Sequence, residues 1–227
     1  MSIQYKNFDT LIKSANDSIP LKKNNKFVPQ HPFRCAIIGQ SNTGKTNLMM
    51  LLLTDLMDYD RLYIICKSLE DQRIYQHILN ISENNESIKC YGDIKDFDLD
   101  TLDANKTNII IFDDVITEKK DQPLIEKAFA YGRHKRASVF YLSQSFFEIP
   151  KFIRQNCSSF IIFPLGDNRD IDRIHHIVGG DIDRKAFYEM YQTAAVKTPH
   201  GFLFIDNDPR QNRNQKYRLR FDQPFSI

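Results

Sequence analysis

Residues 39–46 read Gly39-Gln40-Ser41-Asn42-Thr43-Gly44-Lys45-Thr46, which fits G-x-x-x-x-G-K-[ST], the pattern of a phosphate-cradling loop. No other stretch restricts the fold as much, because such a loop works only between the end of a buried strand and the start of a helix. The loop must turn tightly enough to aim several backbone N–H groups at the same phosphate oxygens. Gly39 and Gly44 supply the permissive backbone, and Asn42 is among the side chains that tolerate positive φ. Lys45 places a compact positive charge on the β- and γ-phosphates of a nucleoside triphosphate, and the Thr46 hydroxyl suits a Mg²⁺ ion. Gln40, Ser41, Thr43 and the adjoining Asn47 complete the expected binding stretch. The flanks agree: residues 34–38 include the apolar run Cys-Ala-Ile-Ile, a buried strand, and residues 45–57 are rich in leucine and methionine, a helix.

Beyond the loop the chain alternates. Strands are expected at residues 61–66, 87–91, 108–114, 137–142 and 158–165, with helices at 69–81, 94–102 (short), 122–131 and 149–154 (short). Two helices at 167–178 and 181–196 each begin with an acidic residue and are separated by Gly179-Gly180. Residues 201–206 and 216–221 read as a hairpin at the sheet edge. This order predicts an α/β fold with a mainly parallel central sheet covered by helices on both faces. Residues 1–32 carry Lys22, Lys23, Lys26 and prolines 20, 29 and 32 without sustained periodicity. They read as an extended N-terminal arm, either a tail or a strap onto a neighbouring subunit, ahead of one domain at residues 33–227.

Length and charge bound the function. A chain of 227 residues is ample for a single core. A net charge of only +2 excludes a histone-like global field, so any nucleic-acid contact must come from local basic clusters. Cys35, Cys66, Cys90 and Cys157 form no C-x-x-C pair and sit mostly in apolar runs. They read as reduced core residues and point to a reducing compartment. Neither an apolar N-terminal h-region nor an 18-residue apolar window occurs, so a signal peptide and a membrane span are not expected.

Residues 108–114, Asn-Ile-Ile-Ile-Phe-Asp-Asp, join four apolar residues to two carboxylates. A central strand buried on both faces explains the apolar run, and ligands bind at the C-terminal ends of such strands. Asp113 is placed to hold Mg²⁺, usually through water, and Asp114 to orient or deprotonate an attacking water. The strand at 137–142 ends in Ser143-Gln144-Ser145. If it lies between the loop strand and the Asp113 strand, Gln144 faces the γ-phosphate, where an amide can donate to a phosphate oxygen and accept from water. Otherwise it is a turn glutamine bonded to backbone. His175 and His176 are adjacent on a helix, point in different directions and cannot chelate one ion together.

The set formed by residues 39–46, Asp113-Asp114 and Tyr-Leu-Ser-Gln-Ser at 141–145, with Ile-Pro-Lys-Phe-Ile-Arg at 149–154, resembles the genome-packaging ATPases of large DNA viruses, poxviruses and virophages. These belong to the FtsK/HerA superfamily of DNA-translocating P-loop motors. The similarity spans about residues 32–165. It implies a RecA-like sheet of strand order 5-1-4-3-2 and ATP with Mg²⁺ as the working nucleotide. It also implies a homo-oligomeric ring of five or six subunits that pumps double-stranded DNA into a capsid, docked on a capsid protein at a portal or vertex. The corresponding setting is a viral protein acting in the host-cell cytoplasm, in virus factories, or carried in the virion. Many members have Glu where this chain has Asp114, a shorter base.

Such a ring needs a cation supplied across the subunit interface. Arg133 and Arg136, just before the Gln144 strand, are the first candidates and Arg154 the next; the alternative for each is a solvated basic turn. A second basic set, Arg210, Arg213, Lys216, Arg218 and Arg220, reads either as a track for DNA phosphates or as a charge-protected edge strand. Two other readings stay open on the loop alone: a nucleotide or small-molecule kinase, whose arginine-rich lid the basic stretch around Arg169 and Arg173 superficially imitates, and a nucleotide-gated assembly protein.

Overall fold

The computed structural model describes residues 19–113, 115, 121–208 and 215–226. A β-sheet runs through the middle in the order β3-β2-β4-β5-β1-β6-β7-β8-β9. The strands are β1 (Arg34–Ile38), β2 (Arg61–Cys66), β3 (Ile88–Tyr91), β4 (Asn108–Asp113), β5 (Ala137–Ser143), β6 (Ser159–Ile162), β7 (Leu203–Asp206), β8 (Tyr217–Leu219) and β9 (Gln223–Pro224). Strands β1 to β6 pair in parallel, and β6-β7, β7-β8 and β8-β9 are antiparallel. The six-stranded parallel part contains the expected 5-1-4-3-2 core as β6-β1-β5-β4-β2. The difference is β3, which adds a strand outside β2 and moves the chain-order numbering by one.

Every residue of β4 and β5 is buried, as a strand covered on both faces requires. The two-residue period of the pleat splits these runs between two cores. Ile110, Phe112, Val139 and Tyr141 face one core with Phe129, Ile153 and Ile174. Ile109, Ile111, Phe140 and Leu142 face the other with Met49, Leu52 and Tyr75. Helices α1 (Lys45–Leu51) and α2 (Arg73–Ser82) therefore cover one face. Helices α3 (Gln122–Tyr131), α4 (Lys151–Asn156), α5 (Asn168–Val178) and α6 (Arg184–Tyr191) cover the opposite one.

Several expected elements change in length or type for visible reasons. The helix expected at 45–57 is α-helical to Leu51 and continues as a π-helical turn, Leu52–Leu56; α6 likewise runs into the π-helical turn Gln192–Val196. Helix α2 starts at Arg73 because Ser68 takes the Gln72 amide at 2.8 Å and Asp71 N–H closes a turn onto the Ser68 carbonyl. Residues 94–102 form two 3₁₀ turns, since Asp93 and Asp98 each accept the backbone N–H two residues on. Residues 19–32 of the expected arm lie on the domain itself. Asn25 N–H reaches the Leu56 carbonyl, Asn24 Oδ1 accepts from Asp58 N–H, and Val28 is buried in the core. The rest of that arm, residues 1–18, lies outside the described residues.

All four cysteines are free thiols, three of them buried. Burial pushes the Cys35 thiol up to about 12 and raises Cys157 as well, so both stay protonated packing groups. Among the described residues no helix is long and apolar enough to cross a membrane.

Candidate functional site

Parallel register brings the C-terminal ends of the central strands level. Ile38 pairs with Ser143, and Cys66 with Asp113. Three features at these strand ends therefore open on the same edge: the 39–46 loop after β1, Asp113 at the end of β4 and Gln144 after β5. Between them lies an open cleft of about 870 Å³ lined by Asn42, Gly44, Lys45, Thr46, Asp113 and Gln144, with Gln72 and Glu148 at its sides.

The loop has the backbone its sequence requires. Asn42 has φ 63° and Gly44 has φ 104°, reversals of hand that turn N–H groups inward. Gly39 is needed for a different reason: a Cβ there would stand 2.5 Å from Phe163 Cβ on the neighbouring chain segment. The Gly39 and Gln40 N–H groups are anchored on the Ser143 and Pro164 carbonyls, which ties the loop to β5 and to the end of β6. Lys45 Nζ donates to the Gly39 and Gln40 carbonyls at 2.6 and 2.8 Å, so its ammonium is held over the loop.

Asp113 is buried, and Tyr75 O–H, from the inner face of α2, donates to its Oδ2. Thr46 and Asp113 offer oxygen donors in one cleft, a set that suits a hard cation such as Mg²⁺. Among the described residues no group of three or more His, Cys, Asp or Glu could hold a metal alone. A cation here would share its coordination with phosphate oxygens. Asp114 lies outside the described residues.

Gln144 comes directly after β5, which runs between β1 and β4 as its assignment requires. It is exposed in the cleft. The match to known proteins is decided at the level of family: residues 22–199, well over half of the chain, match the model of the Poxvirus A32 protein. The chain belongs to the poxvirus A32 family. No curated protein matches it. Among solved structures it is similar to B204, the DNA-packaging ATPase from Sulfolobus Turreted Icosahedral Virus, with TM-score 0.57 and 18% identity over 86% of this chain and 98% of that one. The genome packaging NTPase B204 from Sulfolobus turreted icosahedral virus 2, in complex with AMPPCP, gives TM-score 0.52 and 14% identity over 86% and 98%. The cytoplasmic domain of the Thermomonospora curvata Type VII secretion ATPase EccC gives 0.52 and 13% over 86% and 24%. At these identities the likeness is one of fold.

The candidate arginines of this A32-family chain stand in different surroundings. Arg133 is exposed on the turn Gly132–Lys135 that enters β5, and Arg136 immediately precedes that strand with φ 52° and donates to the Ile19 carbonyl at 2.7 Å. Both stand at the N-terminal end of the seven-residue β5, about 20 Å of strand from the loop edge. Arg154 does not stand with them. It is buried, donates to the Phe146 carbonyl at 3.2 Å and lies 5.1 Å from the Phe146 ring centre, so it is committed inside its own subunit.

In the second basic set the three described residues are engaged within the chain, Arg218 buried, Lys216 half-buried and Arg220 exposed. Arg218 is paired at 2.7 Å with buried Asp206, Lys216 binds Asp181 and the Val178 carbonyl, and Arg220 reaches the Pro199 carbonyl. Arg210 and Arg213 lie outside the described residues. In the stretch around Arg169 and Arg173, Arg169 pairs with Asp167, and Arg173 stacks over Phe147. His175 is structural, contacting the Ile182 carbonyl and the Phe187 ring.

Tyr75, Gln72 and Glu148 were invisible as site residues in the sequence. A tyrosine three residues from Ile78 on the buried face of a helix needs an acceptor for its O–H, which is a signal that a partner exists. Nothing local names Asp113 as that partner. Glu148 carries no such signal.

Proposed function

We propose that this protein is an ATP-hydrolysing motor that drives double-stranded DNA into a viral capsid. The observation that carries the reading is the convergence of the 39–46 loop, Asp113 and Gln144 on one cleft at the C-terminal edge of a 5-1-4-3-2 sheet. It is supported by membership of the A32 family and by the fold shared with B204, a DNA-packaging ATPase.

In this reading the loop N–H groups and Lys45 bind the β- and γ-phosphates of ATP. Thr46 and Asp113 would hold Mg²⁺, which would supply charge neutralisation at the phosphates. Gln144 orients the attacking water from the β5 side, and Asp114 takes its proton. The products are ADP and inorganic phosphate. Tyr75 keeps the Asp113 carboxylate turned into the cleft. A subunit's own Arg133 and Arg136 are a strand's length from its loop, so in a ring of five or six subunits they would serve a neighbour's nucleotide rather than their own. Arg133, the exposed one, is the first choice. Within this reading, non-specific contacts to the DNA backbone, docking on a capsid protein at a portal or vertex, and action in cytoplasmic virus factories complete the assignment.

The test is the ATPase rate of the purified protein with and without double-stranded DNA, at low and high salt, with Lys45→Ala as the blank. DNA stimulation that fades with salt is expected, because phosphate contacts release counterions. A rate that is indifferent to DNA at low salt, in a protein that stays monomeric, refutes the motor.

A further inference from the structure

The loop that leaves β5 and carries Gln144 into the cleft is gripped from below by charged groups that the hydrolysis chemistry does not use. Phe146, two residues after Gln144, has both halves of its backbone captured by buried side chains. Its N–H donates to Asp170 Oδ2 at 2.9 Å, and its carbonyl accepts from Arg154 at 3.2 Å. The same Asp170 oxygen accepts from Ser145 Oγ at 2.9 Å, and Ser145 Oγ in turn accepts the Phe147 N–H at 3.1 Å. Ser143 Oγ donates to the Ser145 carbonyl at 2.8 Å, closing the turn around Gln144 itself. The Phe146 ring is fully buried beneath the Arg154 guanidinium, and the exposed Phe147 ring lies 4.5 Å beneath that of Arg173.

This arrangement carries a free-energy cost. Asp170 is 2% exposed and Arg154 is 9% exposed, and burying charges carries a large desolvation penalty unless they are well bonded. Burial lowers the pKa of Arg154, and the neighbouring Arg173 lowers it further while Asp170 opposes both. Yet Asp170 and Arg154 direct these bonds to one residue's backbone rather than to each other. Phe146 could be anchored by its ring alone, so charged bonds to both ends of its backbone specify the path of the loop rather than simply its burial.

We propose that Asp170, together with Ser145 and Arg154, is a positioning element for Gln144, fixing the turn from which that amide meets the γ-phosphate and its water. The inference rests on the ATPase reading above. It also defines a mechanical link. Helix α5, which supplies Asp170 and Arg173, is bound to α6 through the two-pronged Arg184–Asp172 pair, and at its C-terminal end to β8 through the Lys216 and Tyr217 bonds to the Val178 carbonyl. These bonds connect the Gln144 loop through α5 to the antiparallel edge of the sheet.

The experiment uses the full chain and two variants, Ser145→Ala, which removes one clamp donor with little threat to folding, and Asp170→Asn. Expected is a fall in kcat of about tenfold to a hundredfold, the cost of a misplaced group, with ATP affinity and urea midpoint for Ser145→Ala unchanged. In a Gln144→Ala background the Ser145→Ala effect should vanish, because residues acting as one unit are not additive. A second arm needs no hydrolysis. The chain has no tryptophan, so Phe147→Trp places a single reporter on the clamped loop, and acrylamide quenching of that reporter should rise, by up to about twofold because the position is already half-exposed, in Ser145→Ala and Asp170→Asn. Full multiplicativity of Ser145→Ala with Gln144→Ala, or unchanged kcat with unchanged quenching, overturns the clamp. A parent protein that binds ATP without hydrolysing it overturns the ATPase reading instead, and unchanged quenching in that protein overturns the clamp as well.

Discussion

Arg218 shows how far a residue's meaning depends on what surrounds it. In the sequence it is one of five basic residues near the C-terminus. In the fold its side chain and that of Asp206 are 8% and 5% exposed, its other donors reach the Gln215, Phe27 and Phe221 carbonyls, and its guanidinium lies over Phe204. Burial raises the Asp206 carboxyl and lowers the Arg218 guanidinium, so neither charge is comfortable without the other. Arg218→Met is expected to cost about 3–5 kcal/mol because it strands a buried carboxylate. Pairing it with Asp206→Leu should recover most of that loss, as urea unfolding of the three proteins would reveal. His31 makes a second residue-scale prediction. Its Nε2–H donates to the Asp58 carbonyl at 3.1 Å, and in the neutral ring Nδ1 then accepts from Ser138 Oγ at 2.5 Å. Burial lowers its pKa, so as pH falls below about 6.5 the unfolded chain takes up the proton first. Stability is therefore complete above that pH and declines below it, toward the lower folded pKa. Urea midpoints between pH 8 and pH 5 should show this decline in the parent and a smaller one in His31→Gln.

At the scale of elements, the loop between β1 and α1 works because of what β6 does beside it. Gly39 lies against the start of the segment after β6, and an added Cβ would meet Phe163 Cβ at 2.5 Å and Thr43 Oγ1 at 2.9 Å. Gly39→Ala should therefore destabilise the fold by about 1–3 kcal/mol and weaken nucleotide binding at least tenfold, read by calorimetric titration with a non-hydrolysable ATP analogue. Gly180→Ala, where nothing lies within 4 Å of the added atom, is the control and should bind as the parent does. The strands were legible because apolar runs such as Ile109–Ile110–Ile111–Phe112 have no solvent-facing solution. The ends of helices were less so: Ser68, Asp93 and Asp98 hold backbone groups that a longer helix would need.

On the scale of the whole molecule, the separation of Arg133 from its own loop makes the ring testable. Lys45→Ala and Arg133→Ala proteins should each be inactive alone. Mixed before assembly, they should recover a measurable fraction of the parent ATPase rate, because some interfaces then join an intact loop to an intact arginine. Recovery of no activity, in mixtures that demonstrably co-assemble, would remove Arg133 from the role. The described residues 19–32 add that the basic N-terminal segment is fastened over its own subunit, through Lys22 N–H to Thr107 Oγ1 and Asn25 N–H to the Leu56 carbonyl.

The phosphate loop, the carboxylate at the end of the central strand and the parallel α/β class were determined by sequence alone, because each rests on contiguous residues whose chemistry and periodicity leave one arrangement. Asp114 and the 210–214 stretch stay as the sequence left them. Only the tertiary structure decided that Tyr75 serves Asp113, that Arg154 and Asp170 serve the Gln144 loop, and that Arg218 is buried. The partners in these pairs are 38, 8 to 24 and 12 residues apart along the chain. No local pattern of hydrophobicity or charge encodes which distant group a buried polar atom will meet; the packing of helices onto the sheet does.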